Sequence, residues 1–454
     1  MKVNFQYVKV RFDAKTSPEP GLAAGDLLEQ GGVLSVTTAS SPIAAEARGR
    51  GGADQSRRSG PLHGIVVLDL THVLSGPFAS MTLADLGATV IKIEKPGRGD
   101  QTRGTAPFSE GMSHYFAALN RNKYGLAMDL KTPAGREIFL RLAQKADVLL
   151  HNFRPGVFEE LGFGYAQLKD LNPRLIFCEI SGFGQYGPLR DRPAYDNVVQ
   201  AMAGLMSLTG EPDGRPLRAG FATADFIAGF YAVISVLTAL YDRDRTGKGQ
   251  QIDVAMFDAL FSLMAYQIPY AQITGRSPPR SGAIHPNIVP MGSFKTKDSY
   301  MVVAAFNQAF WRKLCVAVGK PDWLEDERFR TGAARAKNRS ALLAELEPLM
   351  EKKTNAEWER VFEAADVPYG PVKQILDLID DDNVNARELL EPVGIGSLKA
   401  PIRPIKYSSF RQGVRKPPPQ LGEDTEYVLQ TLLQMTAEEA AEARQKMTAA
   451  ASSN

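Results

Sequence analysis

The chain has 454 residues, 44% of them hydrophobic, and its 53 basic and 51 acidic side chains leave a formal net charge of +2 at pH 7. That length and apolar content supply more than one buried core, while the near-neutral balance excludes the basic excess of a nucleic-acid-binding domain. The only cysteines, Cys178 and Cys315, lie inside the apolar runs LIFCEI and WRKLCVAV, which excludes a disulfide framework and reads as two core thiols in a reducing compartment.

Residues 1–60 are rich in Gly, Ser, Ala and Arg, lack the apolar core of a signal peptide, and carry acidic residues that an organelle-targeting peptide avoids. They are expected to be a flexible, dispensable leader. The expected location is cytoplasmic, with the mitochondrial matrix as the alternative. From Gly64 onward short apolar runs alternate with helical patterns: IVVLDL, Pro77 to Leu86, ATVIKIE, YGLAMDL, Pro133 to Ala146, DVLLHN, LIFCEI. Such alternation predicts βαβ units and a mostly parallel sheet with helices on its faces, a large α/β domain over residues 61–276. Thr132 as N-cap and Pro133 at the first helical position open its second helix. Two more apolar helices are predicted from about Asn197 to Leu208 and from Asp225 to Tyr241. The run Phe226 to Tyr241 is shorter than the roughly 20 residues a bilayer needs and is read as a buried helix, so no membrane partner is expected. A strand at QQIDVA and a helix from Met256 complete the domain.

The turn-rich segment beginning at Ser277 starts a smaller α+β domain, residues 277–385, with a strand pair GSFKT and YMVVAA turned at Lys297-Asp298. Residues 386–454 are expected to return to the large domain, through Lys416 and Pro417 to Pro419 into a helix between Asp424 and Met435.

The five histidines form no HExxH pair, no cysteine cluster exists, and no GxSxG elbow occurs, so neither a metal site nor a serine-hydrolase site is expected. Gly182 to Gly187 matches GxGxxG, but Pro188 and the residues after it read as loop. A dinucleotide fingerprint opens a helix; no nicotinamide or flavin is expected. Lys92, Lys95, Arg98, Arg103, Arg121, Lys123, Lys131 and Arg136 are read as lying largely in loops after strands, either as cations for the phosphates of a ligand such as CoA or as solvated surface. Asp225, just before the apolar helix, is either its N-cap or a carboxylate nucleophile held by the positive helix end.

The segments LDLTHVLSGPFASMTLADLGATVIKIEKPGRGD, LNRNKYGLAMDLKTPAGR, NFRPG, NPRLIFCEISGFGQYGP, AYDNVVQAMAGLMSLTG, TADFIAG, RTGKGQQIDVAMFDA and HPNIVPMGSFKTKDSYMVVAA follow in order between about Pro61 and the C-terminus. Together they resemble the class III CoA transferases, the family of formyl-CoA and carnitine CoA transferases. The resemblance implies a Rossmann-like large domain with a smaller α+β domain in an interlocked homodimer. It makes Asp225 the catalytic aspartate, acylated first and then carrying CoA as a thioester. CoA, a substrate rather than a resident cofactor, would lie along His72, Val73, Leu74, Ser75, Lys95, Met128, Leu130, Lys131, Asn152, Phe153, Arg154, Tyr195 and Asp196. The sequence departs from the family where formyl-CoA transferase has glutamine and this chain has Leu74, at Glu160 in place of a cation, and at the less glycine-rich loop Val289 to Gly292. KTKDSYMVV and VPYGPV are similar to succinyl-CoA-using dicarboxylate transferases, which implies succinyl-CoA as donor and an acceptor such as malate, citramalate or glutarate. The alternatives are a 2-methylacyl-CoA racemase of the same superfamily, disfavoured by Tyr195 where racemases carry histidine, and a non-catalytic CoA-binding protein.

Overall fold

The computed structural model describes residues 60–448; the leader, apart from Gly60, lies outside the described residues. Six parallel strands form the large sheet: β1 (Val66–Leu70), β2 (Thr89–Glu94), β3 (Lys123–Ala127), β4 (Val148–His151), β5 (Ile176–Ser181) and β6 (Gln251–Ala255). Their spatial order, β3-β2-β1-β4-β5-β6, is that of a doubly wound Rossmann-like sheet. The runs are apolar on both faces because both are covered. Val67, Val90, Val148 and Ile176 pack with helices α1 (Ser75–Asp85) and α5 (Thr223–Thr246). Their neighbours Leu68, Ile91, Leu149 and Phe177 pack with α3 (Pro133–Lys145) and the C-terminal helices Thr425–Leu433 and Ala437–Thr448. The side chain of Thr132 caps α3, accepting from the Gly135 N–H at 3.0 Å.

Two expected helices differ in outcome. The one predicted from Asn197 to Leu208 is broken into α4 (Asp196–Met202) and the single turn Leu205–Leu208, because Gly204 takes φ +93° between them. The helix at Asp225 is longer than its apolar run, and it is buried on one face only. Ala228, Ala232, Val236 and Ala239 meet the sheet, while Phe230, Tyr231, Ile234 and Tyr241 are exposed. By length and composition this helix could cross a membrane, but 44% of its most apolar stretch is buried inside the protein.

The smaller α+β domain is built on the antiparallel strands Met291–Lys295, Tyr300–Ala304 and Tyr369–Pro371. Trp311, Trp323, Trp358 and Phe294 fill its core. The chain then runs back along the outer edge of the large sheet. Asp424 exchanges two hydrogen bonds with Gly125 on β3, through its Oδ2 at 2.8 Å and its N–H at 2.9 Å. The Thr425 hydroxyl accepts from the Ala127 N–H at 3.2 Å, and the Asn122 N–H donates to the Lys416 carbonyl at 2.9 Å. An edge strand that would otherwise present open backbone groups is thereby covered.

Candidate active site

All six strands point their carboxyl ends the same way, and the strand order reverses between β1 and β4, where open α/β sheets bind ligands. The loops leaving those two strands are tied together there. Asn152 accepts from the His72 N–H and donates to the His72 carbonyl, both at 2.8 Å. The His72–Ser75 turn thus stands over the crevice and runs directly into α1.

Asp225 reaches this crevice from the first turn of α5. It is not the N-cap. Helix α5 begins at Thr223 with Ala222 in the cap position, and the capping carboxylate comes from across the site. Asp196 Oδ1 accepts from the Ala224 N–H at 2.8 Å and the Asp225 N–H at 3.4 Å. Asp196 is itself held by Gln200 Nε2 at 2.6 Å, and Gln200 is fully buried. With its helix capped by another residue, the Asp225 carboxyl is free for chemistry.

Helices α1 and α5 meet closely because Gly229 allows it. A Cβ on Gly229, one turn beyond Asp225, would stand 2.8 Å from both the Ser75 carbonyl oxygen and the Phe78 ring. Gly76 in turn lets the start of α1 lie against the turn after β1, where a Cβ would stand 2.3 Å from Thr71 Cβ. The approach brings Ser75 near Asp225, where its hydroxyl and main-chain N–H favour the ionised form of the carboxyl. Burial, then the neighbouring Asp196 charge, push the Asp225 carboxyl up to about 6 against these two donors. Two helix N-termini, of α1 and α5, therefore converge on one carboxylate, and Ser75 offers donors for an oxyanion beside it.

The other predicted residues fall in strand order along the same edge. Lys131 follows β3, Lys95 follows β2, His72 to Ser75 follow β1, and Asn152 to Arg154 follow β4. Lys95, Arg98, Lys131 and Arg154 are exposed, Lys95 lying 3.8 Å from Asp129. Met128 and Leu130 point into the core, and Phe153 packs beside it against Phe158. Tyr195 is 72% exposed at the start of α4. His72 is held below the usual histidine range, first by burial and then by Lys92, so its ring is neutral near pH 7.

The basic band read as loop cations is mostly consumed by structure. Lys92 and Lys123 sit within strands, fully buried, paired with Asp100 at 3.2 Å and Asp69 at 2.9 Å. Arg103 pairs with Glu94 at 2.6 Å and Arg121 with Asp85 at 2.7 Å, while Arg136 donates to the Leu161 carbonyl at 2.6 Å. The glycine segment at Gly182 continues as loop until α4 opens at Asp196. Among the described residues no three His, Cys, Asp or Glu side chains gather as a metal site. Both thiols are inert: burial pushes Cys178 and Cys315 up to about 12.

One site residue escaped the sequence reading. Tyr115, on α2 (His114–Asn120), packs with Val73, Leu74 and Phe226. Its phenol is pushed up to about 12 by burial and then by Asp225, Asp100 and Asp196, so it stays a neutral donor beside the carboxylates. Nothing in SHYFAALN distinguishes it from a core tyrosine.

The family model of CoA-transferase family III matches residues 62–425. The chain is 41% identical over 363 residues to the acetyl-CoA:oxalate CoA-transferase of Acetobacter aceti, covering 80% of this chain and 93% of that protein. It is 38% identical over 377 residues to the succinyl-CoA:glutarate CoA-transferase of Mus musculus, covering 82% and 86%. Among solved structures it is similar to a CAIB/BAIF family protein from Brucella suis, with a TM-score of 0.77 and 38% identity, covering 83% of this chain and all of that one. A parallel sheet of this order, an aspartate held between two helix N-termini at its switch point, and matches of this extent lead to one conclusion: the chain belongs to CoA-transferase family III and is an enzyme of CoA transfer.

Proposed function

We propose that this enzyme moves CoA from succinyl-CoA to a free dicarboxylic acid such as malate, citramalate or glutarate, with Asp225 as the covalent carrier. The observation that carries this reading is the Asp225 carboxyl, buried near the Asp196 charge and near the N–H and hydroxyl of Ser75 at the start of α1. Its attack on the thioester carbonyl gives a tetrahedral oxyanion, which the Ser75 N–H can stabilise. Collapse yields a mixed anhydride and CoA thiolate. The thiolate attacks the aspartyl carbonyl, releasing the donor acid and leaving an aspartyl-CoA thioester. The acceptor carboxylate then attacks that thioester, and the thiolate takes the acceptor acyl group from the new anhydride, restoring Asp225. Each step exchanges one activated acyl bond for another, so no ATP is needed.

Lys95, Lys131 and Arg154 are suited to the phosphates of CoA, and the His72–Ser75 turn to its thioester end. The mouse succinyl-CoA:glutarate relative supports the donor and the acid class. The outward apolar face of α5, with Phe230, Ile234 and Tyr241, supports an interlocked homodimer. Residues 61–276, 277–385 and 386–454 serve as the large domain, the small domain and the returning segment. Two buried free thiols support a cytoplasmic location.

Purified protein given succinyl-CoA, acetyl-CoA and 2-methylacyl-CoA with a panel of free acids should form dicarboxylyl-CoA from succinyl-CoA fastest. Acetyl-CoA with oxalate as the best pair would replace the proposed substrates. Rapid solvent deuterium entry at the α-carbon of the 2-methylacyl ester would instead make it a racemase, which Tyr195 in place of a histidine base disfavours.

The acid limb of the rate should follow Asp225. Because only the ionised carboxylate attacks, kcat/KM should fall tenfold per pH unit below a midpoint near 6. Asp196→Asn removes a charge that raises this midpoint, so a profile measured between pH 4.5 and 8 should shift its acid limb downward.

A further inference from the structure

In the turn between β1 and α1, side chains partner the N–H and carbonyl of Thr71 and of His72 and the N–H of Val73. The Thr71 N–H donates to Asp69 at 2.9 Å, and its carbonyl accepts from Lys92 Nζ at 2.9 Å. Asn152 takes both polar groups of His72 at 2.8 Å. Next comes Val73, at φ +70°, a left-handed conformation that is an outlier for a β-branched residue. Its N–H points at both carboxylate oxygens of Asp100, each 3.3 Å away. Asp100 is immobilised in turn by the Thr102 N–H at 2.9 Å, the Thr102 hydroxyl at 2.8 Å and Lys92 at 3.2 Å. Its own N–H donates to Glu94 at 2.8 Å, and neither side chain of the Lys92–Asp100 pair is exposed to solvent.

Glycine would adopt this conformation freely, so the valine needs a reason. Its side chain joins Leu74, Tyr115 and Phe226 in a small apolar cluster. We propose that Asp100 is a positioning residue for catalysis: it holds Val73 in its strained conformation, and so fixes Ser75 against Asp225. This rests on the reading of Asp225 as the covalent carrier. Strain of this kind persists only where the surroundings over-determine it, and Asp100 supplies the determination from 27 residues away. The competing view is that Lys92–Asp100 is a satisfied buried ion pair with no bearing on the reaction.

A double-mutant cycle separates them. Asp100→Asn turns an amide N–H toward the Val73 N–H and Lys92, replacing attraction with repulsion. With Val73 present, kcat should fall by about 30-fold while KM for the CoA donor stays within about threefold, the mark of a lost transition-state alignment. In a Val73→Gly background the turn no longer needs to be forced, and Asp100→Asn should change kcat by less than about threefold. An equal fall in both backgrounds, or a kcat in folded Asp100→Asn within twofold of wild type, overturns the proposal. Should Asp100→Asn fail to fold, Thr102→Val removes one anchor and keeps the charge; it should lower kcat about threefold with Val73 and not with glycine. An unchanged kcat in that variant also overturns it. Hydroxylamine trapping after mixing with succinyl-CoA keeps the two readings apart. No label on Asp225 in the wild type refutes the carrier, whereas labelling of Asp100→Asn at the wild-type rate refutes the positioning role alone.

Discussion

Asp225→Asn should fold normally, still bind CoA, and lose transferase activity by at least about a thousandfold, the scale seen when a covalent nucleophile is removed. The fold should survive because the residue caps nothing: the N–H groups of its helix are taken by Asp196. Stability should even rise at neutral pH. The folded carboxyl titrates near 6 against an ordinary value of 3.8, so between those values the folded chain binds the extra proton and the unfolded chain does not. Stability contributed at this site is therefore greatest below pH 4, falls as pH rises to 6, and stays low above it. Asparagine removes that penalty, a gain of about 1–3 kcal/mol above pH 6, readable as a higher Tm at pH 7.5 and no gain at pH 4. In the wild type, succinyl-CoA without acceptor followed by hydroxylamine should place a hydroxamate on the peptide containing Thr223 to Phe226. Label on Asp196, or near wild-type turnover by the asparagine variant, would show that another group is the carrier.

Gly229→Ala should also lower the rate strongly, although it touches no reacting atom. Helix propensity alone favours alanine by about 1 kcal/mol. Against that stand two contacts of 2.8 Å to its Cβ, one of them to the Ser75 backbone, which cannot swing aside as a long side chain would. Relief requires α1 and α5 to separate by several tenths of an ångström, and overpacking of this kind costs about 1–3 kcal/mol. The same displacement moves Ser75 away from Asp225, so kcat should drop by about 100-fold with the CoA ester still bound. A variant with a raised Tm and intact kcat would mean that the helices have slack here.

Much of this was legible in the chain because the strands are buried on both faces. IVVLDL, DVLLHN and LIFCEI read as apolar runs, and Thr132-Pro133 announced a helix that the fold contains. The buried lysines were not legible. Lys123 finds Asp69 across 54 residues, and no local pattern separates a lysine with such a partner from one in solvent. The exposed side of α5 was hidden for a related reason: its outward residues, Phe230, Tyr231, Ile234 and Tyr241, are as apolar as its inward ones, so hydropathy had no polar stripe to report. Asp225 stood out through its resemblance to a family motif. Its geometry did not, because Ser75, Asp196 and Tyr115 meet it only through the packing of four helices.

The returning C-terminal segment also sets a timetable for the ribosome. Strand β3 receives its outer partner from Asp424, 299 residues after Gly125. At about 5–20 residues per second, that separation amounts to roughly 15–60 s of synthesis. Throughout that interval the first half of the sheet can assemble around β1 and β2 while its outer edge stays unsealed, a ready template for strand pairing with a neighbouring nascent chain. Order of birth and order of closure therefore run opposite ways along this molecule, and helices made late complete a strand made early.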